Sequence, residues 1–400
     1  MKKSTKLKML SVGVGALSIG SVQAQTSVTL YGALDAGFTY TSNVKGSSLF
    51  ALTSSNQAGS RWGLTGAEDL GGDLKAIFTM EGGFSTTTGA IGTNGTLFGR
   101  QAFVGLSSNQ YGTATLGRQY GASYTAITQI LALPAGGTWA AAGGGYGTHA
   151  SDADNLNSAN RINNAVKYRS PNWGGVTVVG LYSFGGKAGD FTQNSIYDIG
   201  VAYDNGTFRF GAGYFFAKNP NFSFWGDKAN DSPSGNNMPN VIISGYASAG
   251  SEQIIAAGAG YTLGSAIFGV VYSNVRFNNL GSIAGVTTGR ASGYRGSATL
   301  NTGEVNLKYQ VTPAVLLGVA YSYTKDSGAG NSGGATYQSV DAGALYSLSK
   351  TTSLYAVGVY QRASGTNSLG QNAVGAIFGS AGPSSNNHQL LLTTGLLHKF

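Results

Sequence analysis

A chain of 400 residues with 64 glycines, no cysteine, 10% charged and 42% hydrophobic side chains is too apolar to be disordered. It cannot be a disulfide scaffold or a thiolate metal site. A mean hydropathy of −0.02 argues against spanning helices, which need runs of about 20 apolar residues.

The chain opens on Lys2, Lys3, Lys6 and Lys8, an apolar run over 9–20, and Val22-Gln23-Ala24, with small residues where a signal peptidase reads. Residues 1–24 are expected to be a cleaved signal peptide, and 25–400 one domain. Removing four lysines leaves 20 Lys+Arg against 16 Asp+Glu, so the formal charge falls from +8 to +4. The remaining cations are dispersed, which excludes a nucleic-acid surface.

From there the apolar residues recur with period two. Leu30, Leu34 and Phe38 alternate with Thr29, Asp35 and Thr39. Leu74, Ala76, Phe78 and Met80 alternate with Lys75, Thr79 and Glu81. Phe208, Phe210 and Tyr214 are interleaved with Arg209 and glycines, and Val305, Leu307 and Tyr309 with Glu304, Asn306 and Lys308. Such dyads predict strands with one apolar and one polar face, and no 3.6-residue period recurs. The apolar stretch 254–275 has the length of a spanning helix, but its glycines and Leu263-Gly264-Ser265 split it into two strands.

Seven tight turns, at 69–72, 108–110, 171–172, 204–206, 263–265, 312–313 and 349–350, alternate with eight longer polar stretches near 42–59, 85–96, 121–160, 185–194, 218–252, 278–295, 326–335 and 364–386. Fifteen connections join sixteen strands, with short turns at one rim and long loops at the other. That pattern predicts an all-β fold, a 16-stranded antiparallel transmembrane β-barrel. A bore of this width holds water, so large apolar side chains belong outside against lipid and polar ones inside.

Several runs resemble the general-diffusion porins of β-proteobacteria. They are Val28-Thr29-Leu30-Tyr31-Gly32, Ser60-Arg61-Trp62-Gly63-Leu64, Phe98-Gly99-Arg100-Gln101-Ala102-Phe103, Leu116-Gly117-Arg118-Gln119, Arg161-Ile162-Asn163-Asn164 and the terminal His398-Lys399-Phe400. The resemblance implies an outer-membrane homotrimer whose third extracellular loop, here 121–160 with Pro134 and Gly143-Gly144-Gly145, folds inward as a constriction. It implies a basic ladder of Arg61, Arg100, Arg161 and Arg118 facing Asp152 and Asp154 on that loop. It also makes Phe400 the outer-membrane assembly signal read by the barrel-assembly machinery. Outer-membrane lipid, lipopolysaccharide, ions and small hydrophilic solutes are the other expected partners.

Parity alone puts Arg61 opposite Trp62 and Leu64 and Arg161 opposite Ile162 and Val166, both toward the lumen, and Arg100 opposite Gln101 and Phe103, which also allows a lumen position. Arg118 shares the parity of Leu116, which leaves its side open. An alternative role for these arginines is local pairing with Glu68, Asp69 or Glu81. His149, His388 and His398 are the only histidines and form no nucleophile–base array, so they are expected to be solvated residues of a non-enzyme without cofactor or metal. The expected function is passive diffusion through an outer-membrane pore with anion preference. The alternative is an outer-membrane adhesin or structural barrel acting through its loops.

Overall fold

The computed structural model of the chain describes residues 27–129, 146, 149–226, 235–238, 240–330 and 333–400. The expected signal peptide, Pro134 and Gly143-Gly144-Gly145 lie outside the described residues. The period-two segments form β1 (Ser27–Val44), β2 (Ser47–Ser54), β3 (Arg61–Gly71), β4 (Leu74–Gly83), β5 (Gln101–Ser108) and β6 (Gly112–Gln119). They continue as β7 (Ile162–Arg169), β8 (Val176–Ser183), β9 (Ile196–Asp204), β10 (Phe208–Lys218), β11 (Ser251–Leu263) and β12 (Ala266–Leu280). The wall ends with β13 (Gly296–Thr312), β14 (Val315–Asp326), β15 (Ala335–Ser347), β16 (Thr352–Gly365) and β17 (His388–Lys399).

Neighbouring strands pair antiparallel, and β17 returns to β1 with Ala33 opposite Lys399 and Thr41 opposite Leu391, closing the sheet. Closure leaves no unpaired edge, the condition for a sheet in hydrocarbon. Among the described residues, seventeen strands fill sixteen positions. The first half of β1 (27–33) lies beside β3, and its second half (36–44) lies on the same side beside β2. Thus β2 and β3 are two halves of one spanning strand, interrupted at residues 55–60.

Residues 254–275 divide as expected, with Gly264 at φ +56 turning β11 into β12. Among the described residues no helix is long and apolar enough to cross a membrane. The expected first long loop is corrected. β1 runs to Val44, Lys45 and Gly46 turn the chain at positive φ, and β2 returns at once. Serines and threonines in 47–54 disguise a dyad whose Phe50 and Leu52 point outward.

Faces follow the inverted rule. Phe38 is 71% exposed and Val305 55%, whereas Asp35 and Glu304 are 0% and 2% exposed. An apolar exterior over a polar, enclosed inner face is the pattern of a barrel in lipid. The inner face is nevertheless not polar throughout. Near the long-loop rim Ile254, Val275, Phe277 and Leu300 point inward and are buried against Ile242, Ile243 and Tyr246 of the 219–250 segment. The uniformly hydrated bore expected from alternation is therefore corrected on this side. Here the covering loop supplies apolar partners, so apolar residues are stable on both faces of the strand.

The interruption at 55–60 is held by Asp35. Its Oδ2 accepts the backbone N–H groups of Gln57 and Ala58 at 2.6 Å each, and its Oδ1 accepts the Tyr355 hydroxyl at 2.6 Å. Ser55 and Ser60 satisfy the Asp35 backbone in place of a strand partner. Asp35→Ala strands three buried donors at about 1–3 kcal/mol each. A lower thermal transition of the detergent-solubilised barrel, read by circular dichroism, is the expected result.

Candidate functional site

Arg61, the first residue of β3, pairs with Gly83 on β4 and with Ala33 on β1, both on the inner face. Its guanidinium lies 3.6 Å from Glu81, and its Nη1 donates to Gly59 O at 2.8 Å, within the interruption. Glu81 is the shared acid of this wall. It accepts Arg100 Nε at 2.6 Å on Oε1 and the Tyr31 hydroxyl at 2.9 Å on Oε2. Arg100 also donates to the Tyr120 hydroxyl at 2.8 Å, and Arg161 donates to the same oxygen at 3.2 Å. The Arg161 guanidinium carbon stands 4.8 Å from the Tyr120 ring centre, the geometry of a cation over an aromatic face. Three of the four expected arginines thus gather in one cluster, Arg61 and Arg100 on the Glu81 carboxylate and Arg161 through Tyr120, and three positive charges against one negative leave +2.

Parity places only Arg61 for the right reason. In β5 the exposed residues are Val104 and Leu106, so Gln101 and Phe103 face inward with Glu81. Arg100 reaches the lumen because it precedes β5, where its backbone N–H bonds Glu81 O and its side chain is free of strand alternation. Arg161 likewise precedes β7. Asn164 at φ 50 breaks the alternation there, so Ile162 is buried while Val166 is exposed. Arg118 does not join the cluster. It follows Gly117 at φ 135 and bonds Gly99 O at 2.8 Å and Asn163 Oδ1 at 2.5 Å, on the side of exposed Leu116.

Asp152 and Asp154 do not meet the arginines. Asp152 accepts the N–H groups of Asn157 and Ala159 within its own loop, and it is fully buried. Asp154 accepts His149 Nδ1 at 2.5 Å and the hydroxyl of inward-facing Ser273 at 2.5 Å. His149 Nε2 stands 3.2 Å from Glu304 Oε2 on β13, an ion pair when the imidazole is protonated. The expected solvated histidine is therefore a buried bridge between loop and wall, 1% exposed. Burial disfavours its charge, yet Asp154 and Glu304 raise its pKa well above the usual value. Burial, reinforced by the Asp154 charge, pushes Asp152 up to about 7. Burial opposes ionisation of Asp154 as well, but His149 outweighs it and holds that carboxyl below its ordinary value.

The loop's first turn is anchored on the other wall. Lys167 Nζ donates to Tyr120 O at 3.0 Å and to Thr125 Oγ1 at 2.9 Å, while Asp198 accepts the N–H groups of Ala122 and Ser123. A sequence model described as Gram-negative porin matches residues 12–366. The chain belongs to the Gram-negative porin family. An outer membrane porin protein of Bordetella pertussis is 36% identical over 211 residues, 49% of this chain and 52% of that one. Outer membrane porin protein 32 of Delftia acidovorans is 36% identical over 219 residues, 52% and 57% of the two chains. The matched region spans about half the length of these curated relatives. Among solved structures, the anion-selective porin from Comamonas acidovorans superposes with a TM-score of 0.68 at 20% identity, covering 94% of this chain and all of that one. The trimer form of in-vitro folded OmpT of Vibrio cholerae superposes at 0.59 with 16% identity, over 94% and 99% of the two chains. Both likenesses are of fold.

Sequence reading of this porin missed Tyr120, which carries no charge and sits at the loop's root, and it missed the bridging of His149 to Glu304. Polar parity within β13 and β15 marks Glu304 and Asp341 as inward residues. The nearness of Glu304 to a histidine 155 positions earlier needs the closed barrel. Phe400, expected as an assembly signal, pairs with Gly32 through both backbone groups at 3.0 and 3.2 Å. Its ring covers Gly32, where any Cβ would collide with it.

Proposed function

We propose that the chain forms a water-filled channel in the outer membrane for passive diffusion of ions and small hydrophilic solutes, with a preference for anions. The observation that carries this reading is the meeting of Arg61 and Arg100 on one acid, Glu81, with Arg161 joined to Arg100 through the Tyr120 hydroxyl, at the inner wall. In a pore, charge at the narrowest zone sets which ion sign is enriched. The 121–160 loop is assigned the constriction, because its described residues touch inward-facing Ser273 and Glu304 across from the basic wall. Asp152 and Asp154 serve that loop as anchors, and the acid that tempers the arginines is Glu81.

The working unit is assigned as a homotrimer, the state named for the Vibrio neighbour. Phe400 is assigned the role of presenting the chain to the barrel-assembly machinery. Outward-facing Arg276, Lys325 and Arg362, near the long-loop ends of β12, β14 and β16, suit contact with the phosphates of lipopolysaccharide. No covalent chemistry is part of the reading.

Purified protein in planar lipid bilayers should give stepwise, ohmic openings and a reversal potential of anionic sign under a salt gradient. Absence of openings from folded, heat-modifiable protein would favour a barrel acting through its loops.

A further inference from the structure

We propose that Tyr120 is a specificity-determining residue of the pore, its phenol oxygen gathering Arg100 and Arg161 into one anion-attracting pair whose strength depends on the phenol proton. The inference rests on the basic wall proposed above and names the group that organises it. Four residues converge on this side chain and its backbone. Arg100 and Arg161 donate to its oxygen at 2.8 and 3.2 Å, and the Arg161 guanidinium also lies over its ring. The ring stacks on Tyr124 with centres 5.2 Å apart, which fixes its plane. Lys167 holds its carbonyl at 3.0 Å, so the residue cannot slide along the wall.

Two guanidinium groups repel one another, and an oxygen accepting from both offsets that repulsion and shortens their separation. The phenol is neutral when protonated, so the group of Arg61, Arg100, Arg161 and Glu81 keeps its net +2. Loss of the phenol proton lowers it to +1 in the same place. Burial alone would raise the Tyr120 phenol, but the charges of Arg161 and Arg100 outweigh it and hold it below the usual value. The other groups around it are Glu81 from β4, with Arg61 from β3 and Tyr31 from β1 reaching it through Glu81, Tyr124 beside the ring, and Lys167 from β7.

Reversal potentials of the wild type and Tyr120→Phe, measured from about pH 7 to pH 11 under one potassium chloride gradient, test the proposal. The wild type should lose anion preference by roughly threefold to tenfold, with its midpoint below the ordinary phenol value of about 10. Tyr120→Phe should start with a weaker preference at neutral pH and lack that step, keeping only the decline that the lysines contribute in both proteins. A pH profile in Tyr120→Phe superimposable on the wild type's would overturn the proposal, as would a wild-type profile flat below pH 10. Tyr120→Leu, in the same assay, serves if the phenylalanine variant does not fold. Arg161→Glu separates the two levels of the argument. Unchanged neutral-pH selectivity in that variant removes the basic wall itself, whereas a changed one beside an unmoved pH profile removes Tyr120 alone.

Discussion

Arg100→Glu combined with Arg161→Glu should replace the proposed anion preference of the channel with a cation preference. Each exchange removes a positive charge and adds a negative one, so either single variant takes the local balance from +2 to 0, and the pair takes it to −2. Two unit charges about 4 Å apart interact by roughly 1 kcal/mol in water, and exchanging one sign for the other changes a passing anion's energy by about twice that. The anion-to-cation permeability ratio should therefore fall on the order of tenfold or more per exchange in dilute salt. At about 1 M salt, where the screening length shrinks to roughly 3 Å, the effect should fade. Reversal potentials at two ionic strengths measure both. Unaltered selectivity in the single and double variants would remove the arginine wall while leaving the barrel and its conductance in place.

His149→Leu is expected to loosen the 121–160 loop without unmaking the barrel. The imidazole lies between Asp154 and Glu304, all three closed off from solvent. Removing one partner of a buried ion pair costs about 3–5 kcal/mol, because the stranded carboxylates keep their desolvation penalty. The variant should show a lower heat-modification temperature and noisier open-channel current. A quiet channel with wild-type stability would refute the anchoring role. His149→Gln, which keeps a donor, should fall between the two. The anchor also has a pH sense. The raised pKa of His149 means that its stabilisation is full below its ordinary value and is lost as pH climbs through the raised one. Asp152, pushed up to about 7, likewise favours the folded loop when protonated, so its contribution declines between its ordinary value of about 4 and about 7. Asp154, held low, contributes above its ordinary range and loses that only in stronger acid. Current noise in the wild type should rise between about pH 4 and about pH 7 as Asp152 loses its proton, and in His149→Leu the rise should be larger, because a buried Asp154 without its imidazolium partner is relieved by protonation in acid.

Strand count and the inverted faces were legible because period two and the alternation of short and long connections are local signals. Phe38 and Asp35 declare their faces within a few residues of one another. Arg100 and Arg161 could be nominated but not oriented, since each stands just outside a strand where alternation does not apply. Asn164 and Gly117, at positive φ, shift the register beside Arg161 and Arg118, and nothing in their neighbours' polarity announces it. The 42–59 stretch was misread because a small, hydroxyl-rich strand has the composition of a loop. His149 was unreadable for a different reason. Its partners sit on the loop and on β13, and only closure of the cylinder brings those together.

The divided strand of β2 and β3 gives the molecule a place to vary its aperture independently of its wall. Six residues leave the ladder there and rejoin it, while β1 carries the pairing past the gap unbroken. Lengthening, shortening or recharging that insert would reshape what lies beside Arg61 and Arg100 without sliding any hydrogen-bonded neighbour. Solute preference can then diversify between related channels while the lipid-facing shell stays the same.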